Sequence, residues 1–109
     1  MKIESPEGVA RCEEVLAVPG IGFAEMGPGD LGLSLLGRTS LQLSPYPPEM
    51  QEARDRVFAA CRANGAAFLE SCTPDTVAAR IDEGVRVVAG GREDTARAGR
   101  AHQRRAMPV

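Results

Sequence analysis

Two carboxylates in this chain stand where they could do chemistry. Glu4 closes the short run MKIE, and Asp30 follows the Gly-Pro-Gly of GPGDLGLS at residues 27–34. Each comes just after a strand-length apolar stretch, so two adjacent parallel strands would carry both to one rim, within reach of a single divalent cation. Oxygen-only ligands suit a hard ion. Helix capping or plain solvation is the other reading of both acids, and on spacing alone it is the favoured one, since Glu and Asp are common at strand ends. Pro28 presets φ for a type II turn and Gly29 supplies the positive φ that its third position needs, so Asp30 leaves the turn on a stiff backbone.

The remaining reactive side chains narrow the chemistry. Cys12, Cys61 and Cys72 are an odd count with no C-x-x-C pair, which argues against a disulfide framework and a zinc site and leaves reduced, structural thiols. His102 is the only histidine and sits in AGRAHQRR, a solvated helix position rather than a catalytic base, so a histidine-based triad has little to work with. Gly90-Gly91-Arg92 reads as a βα turn before it reads as a phosphate cradle. Thirteen Lys and Arg against fifteen Asp and Glu give a net charge of −2 and a pI near 5.4, with no basic field for nucleic acid. No run approaches the ~20 apolar residues of a membrane span, and the expectation is a soluble, cytoplasmic protein without nucleic-acid or membrane partners.

The elements that must position the carboxylates follow from caps and periodicity. MKIE reads as the tail of a strand, and SPEGVARCEEVLAV as a helix entered through Ser5 as N-cap and Pro6 at N1. IGFAEM is a strand, and LSLLGRTSLQLSPYPP, from Leu33 to Pro48, is a rim loop. PEMQEARDRVFAACRAN places Met50, Ala53, Val57, Ala60 and Cys61 on one helical face with charges on the other, and Gly65 closes it. AAFLE is a buried strand; TPDTVAARIDE is a helix with Thr73 as N-cap and Pro74 at N1, ended by Gly84. VRVVA is a strand, Gly90 and Gly91 a turn, and EDTARAGRAHQRR a last helix whose arginine-rich end is a solvated terminus with its cations near the negative end of the dipole. Strands and helices alternate about four times, which predicts an α/β fold with parallel strands and right-handed crossovers. Glu4, the 27–30 turn, Glu70 to Cys72, and Gly90 with Gly91 would then share the carboxyl rim, where such sheets bind ligands. At 109 residues the chain falls far short of the ~250 of a complete (β/α)8 barrel.

IESPEGV, EEVLAVPGIGFAEMGPGDLGLSL, PPEMQEARDRVFAACRANG, TPDTVAARIDEGVRVVAGG and GRAHQRRAMPV together resemble the HpcH/HpaI aldolase family, the metal-dependent class II aldolases of 2-oxo acids related to the citrate lyase β chain. The resemblance covers nearly the whole chain. It implies residues 1–109 as the C-terminal half of a TIM-barrel domain, about the last four βα units of a partial (β/α)8 barrel. It implies Glu4 and Asp30 as ligands of Mg²⁺, Mn²⁺ or Co²⁺, and the N–H groups of Gly29 and Asp30 as donors to the carboxylate of a 2-oxo acid substrate. The implied chemistry is reversible aldol cleavage of a 4-hydroxy-2-oxo acid to pyruvate and an aldehyde, with the cation stabilising the enolate. Gly32 stands where many relatives carry Ser, and Lys2 where the well-described aldolases carry a substrate-contacting Gln, so Lys2 receives no binding role.

In that family an enolate-steadying Arg and a His-Asp acid/base lie in the first half of the barrel, and no residue of this sequence corresponds to them. The chain is then expected to be catalytically incomplete alone: a fragment, a split-gene product or a truncated reading frame, with a missing N-terminal half-barrel or copies of itself in a homo-oligomer as partners. The alternatives are an acyl-CoA ester lyase of the citrate lyase β type and a non-catalytic half-barrel kept as an interaction or structural module.

Overall fold

A computed structural model of the chain describes residues 1–37, 45–89 and 92–104. It falls into two compact units, 1–68 and 69–109. Four strands form one sheet in the order β1 (Lys2–Ile3), β2 (Phe23–Met26), β3 (Ala67–Ser71), β4 (Val87–Ala89). In the first unit β1 pairs in parallel with β2, Lys2 opposite Glu25 and Ile3 opposite Met26, and β3 starts from a hydrogen bond of Ala67 N–H to Gly22 O at 2.9 Å. In the second, β3 pairs in parallel with β4, from Leu69 opposite Val87 to Ser71 opposite Ala89. The α/β alternation of parallel strands is as expected. Among the described residues no helix is long and apolar enough to cross a membrane.

The expected first helix is two. Ser5 caps it as read, its Oγ accepting from Gly8 N–H at 3.1 Å with Pro6 in the first turn, but α1 (Pro6–Ala10) breaks at Arg11 (φ −116°, ψ 15°) and α2 (Cys12–Leu16) restarts. Gly8 and Val9 are weak helix formers, so one turn does not carry the helix through. The long helix α4 (Pro48–Ala63) buries Met50, Ala53, Val57, Ala60 and Cys61 as predicted, and Gly65 follows it with φ 70°. One of its charges departs from the pattern: Arg54 is 1% exposed, its guanidinium 5.2 Å from the Phe58 ring centre and 5.5 Å from that of Phe68. Cation–π attraction and an ion pair to Asp55 at 3.1 Å keep the charge partnered out of water. Helix α4 packs on α2, α3 and β2. Cys12 and Cys61 lie fully buried in this core, and burial pushes both thiols up.

In the second unit α5 (Val77–Glu83) begins later than the sequence suggests. Thr73 is not its N-cap; Thr76 is, because Thr73 N–H donates to Thr76 Oγ1 at 2.9 Å and Thr76 N–H to Thr73 O at 3.1 Å, closing a separate turn around Pro74. Gly84 ends α5 in the left-handed region at φ 112°. α6 (Glu93–His102) packs on α5 through Gly99, where a Cβ would stand 3.3 Å from Val77 Cγ2. The predicted turn at Gly90 and Gly91 lies outside the described residues.

Candidate functional site

The GPGD segment is not a type II turn. Pro28 is the first residue of helix α3 (Pro28–Leu36), Gly27 is its N-cap with φ −78°, and Leu31 N–H donates to Gly27 O at 3.1 Å. Gly29 is not among the positive-φ glycines. The fixed φ of proline serves N1 of a helix as well as the second position of a turn, and the helix wins because it buries Leu31 and Gly32 and packs on α4. The expected rim loop is corrected in the same place: Leu33–Leu36 are the last turn of α3, which Gly37 closes at φ 65°, and residues 38–44 lie outside the described residues.

This helix start changes what the segment offers. Gly29 and Asp30 occupy the second and third helical positions, whose N–H groups have no acceptor within the helix and sit at the positive end of the dipole. Asp30 is an acid in that first turn, and it is exposed. Anions of carboxylate size suit such a terminus.

Glu4 approaches from β1. Strand alternation turns Ile3, Ala24 and Met26 into the core, and Lys2, Phe23 and Glu25 to the other face. Glu4, two residues beyond Lys2, accepts from Lys2 Nζ at 3.0 Å through Oε1. Gly27 N–H donates to Ile3 O at 3.0 Å, drawing the end of β1 against the start of α3. The Glu4 side chain then lies across Gly27: a Cβ there would stand 2.8 Å from Glu4 Cδ and closer still to Cγ and Oε1. Gly27 is therefore required by close approach, not by φ.

The two carboxylates thus belong to adjoining segments, one laid over the N-cap of the helix whose first turn carries the other. The Lys2 ammonium responds to both. Its pKa is raised first by the hydrogen bond to Glu4, then by the charges of Glu25 and Glu4, against a desolvation effect, with Asp30 contributing last. Among the described residues no three His, Cys, Asp or Glu side chains converge. A cation held here would take two hard carboxylate donors from the chain and its other oxygens from water or ligand, which suits Mg²⁺ or Mn²⁺. Sequence reasoning passed over Gly27, Glu25 and the engagement of Lys2; the signal for Lys2 and Glu25 was the two-residue period that sets them on the face opposite the core.

The other rim candidates belong to the second unit. Glu70 is 8% exposed and pairs through Oε2 with Arg80 Nε at 3.3 Å, and Cys72 Sγ contacts Glu70 O at 3.8 Å. His102 Nε2 lies 2.7 Å from Asp82 Oδ1 on the surface of α6, a solvated position as read.

Comparison with known proteins bears on this geometry. The family model described as HpcH/HpaI aldolase/citrate lyase matches residues 1–98. A 2-dehydro-3,6-dideoxy-6-sulfogluconate aldolase of Pseudomonas putida is 31% identical over 85 residues, 77% of this chain and 32% of that protein. The crystal structure of macrophomate synthase shares 31% identity with a TM-score of 0.67, covering 81% of this chain and 30% of that one. An HpcH/HpaI aldolase/citrate lyase family protein from Burkholderia cenocepacia J2315 shares 25% identity with a TM-score of 0.69, over 94% and 40%. The chain thus spans 32% of the length of the curated relative it matches.

Proposed function

Because the chain belongs to the HpcH/HpaI aldolase/citrate lyase family, we propose that it carries the cation- and carboxylate-binding rim of a carbon–carbon lyase that cleaves a 4-hydroxy-2-oxo acid to pyruvate and an aldehyde. The observation that carries this reading is the Glu4 carboxylate laid over Gly27, at the head of the helix that bears Asp30. Glu4 and Asp30 would hold a divalent ion. When bound, that ion supplies Lewis acidity toward the keto oxygen of the substrate. The N–H groups of Gly29 and Asp30 orient the substrate carboxylate at the positive end of α3, which fixes the rotation of the 2-oxo acid about its carbon chain. On β2 the alternation turns Ala24 and Met26 into the core and leaves Phe23 and Glu25 on the face of Lys2.

Cleavage takes the proton from the 4-hydroxyl, breaks the C3–C4 bond, leaves the electron pair on C3 and returns a proton there to give pyruvate. A positioned acid/base contributes typically 10²–10⁴-fold to such transfers. The only histidine, His102, is paired with Asp82. The 109 residues by themselves are therefore expected to release little or no pyruvate, and adding the first half of a family barrel, fused or as a separate chain, is expected to restore metal-dependent release. Lactate dehydrogenase coupling reads both. Fast turnover by the 109 residues alone would overturn the incompleteness, and a complemented barrel that folds yet never yields pyruvate would point to acyl-CoA ester cleavage. Binding is tested separately by Mn²⁺ calorimetry: pyruvate should tighten Mn²⁺, and Glu4→Gln or Asp30→Asn should each abolish the effect.

A further inference from the structure

Lys2 stands among acids on the face that carries the site. Its Nζ is 3.0 Å from Glu4 Oε1, and its register partner on β2 is Glu25. The Lys2–Glu4 pair is exposed, 59% on the lysine and 30% on the glutamate, so its contribution to fold stability is small. Its effect falls on the carboxylate itself. One oxygen of Glu4 cannot sit against an ammonium and against a divalent ion in the same geometry, and a unit charge a few ångströms from a dication opposes its binding by about tenfold even when well solvated.

Resting on the metal reading above, we propose that Lys2 is a displaceable counter-ion for Glu4. It holds the carboxylate across Gly27 until a divalent ion takes it, and so keeps affinity for the free ion low. The displaced ammonium stays on the β1–β2 face and pairs with the carboxylate of the arriving 2-oxo acid. Ion and 2-oxo acid therefore bind better together than apart. Lys2 is a positioning and specificity-determining residue, not a proton carrier.

The test is Mn²⁺ binding, by calorimetry or by the electron paramagnetic resonance signal of free Mn²⁺, with and without pyruvate. Lys2→Gln should bind Mn²⁺ alone about tenfold more tightly than the natural chain, and the further tightening by pyruvate should shrink. Lys2→Arg should keep the natural pattern, because it restores the charge. Mn²⁺ binding in Lys2→Gln that is equal or weaker overturns the proposal, as does a pyruvate effect of undiminished size. Glu4→Gln separates this failure from failure of the underlying reading: if Mn²⁺ binds that variant as it binds the natural chain, Glu4 is not a ligand, whatever Lys2 does.

Discussion

Gly27 decides more of the site than its size suggests. Its φ of −78° is open to any residue, yet a Cβ would run into the Glu4 side chain. Glu4 is 30% exposed and flexible, so it can swing into solvent instead of straining the backbone. Gly27→Ala should therefore cost only about 1 kcal/mol or less, mostly from a poorer N-cap, while moving the carboxylate off the head of α3. Thermal melts and Mn²⁺ titration of the same variant check this: near-natural stability with lost Mn²⁺ binding is the expected pair of results. Of these site features, the acids at 4 and 30 were legible in the sequence as ends of strand-like runs. The need for glycine at 27 was not, because a clash between residues 23 positions apart depends on the register of β1 on β2.

At the scale of elements, the first unit is tied together by α4, and one polar link reports on it. Arg56 Nε donates to Glu13 Oε1 at 3.0 Å, and its Nη2 to Glu13 Oε2 at 3.1 Å and to Ala10 O at 2.9 Å, joining α4 to α2 and the end of α1. The Arg56 hydrogen bond draws the Glu13 carboxyl down from its ordinary 4.5 to about 2. A depressed folded-state pKa stabilises the fold above the unfolded value, and that stabilisation is lost as pH falls from about 4.5 through about 2. Urea melts of the natural chain and Glu13→Gln should differ at pH 6 and converge toward pH 2. A constant gap across that range would mean the pair does not couple the helices. α4 itself was readable from its apolar period and its flanking Pro48 and Gly65. The burial of Arg54 on the same helix was not, since only the rings of Phe58 and Phe68 make it tolerable.

At the scale of the molecule, the sheet of the first unit has a face that its helices leave open. Phe23, on that face, is 46% exposed, and β1 ends the strand order with an outer edge to which no described strand pairs. An exposed aromatic side chain on that face and an open edge favour association, so the 109 residues should self-associate in light scattering and take up an apolar dye. A monomer at high concentration with no dye uptake would count against an incomplete barrel.

The alternation of parallel strands with helices, the Ser5 cap, the stop at Gly84 and the family itself were determined by the sequence alone, because each is written in a local period, a cap or a contiguous motif. Where local signals were ambiguous, tertiary structure chose. Pro28 fits a turn or a helix start, and the burial of Leu31 in a helix packed on α4 made it a helix; Thr73 reads as the cap of α5, and a closed turn around Pro74 moved the cap to Thr76. The Lys2–Glu4 pair and the seat of Glu4 on Gly27 also belong to the tertiary level. Strand pairing brings β1 and the head of α3 within side-chain reach, and no local preference of either segment contains that distance.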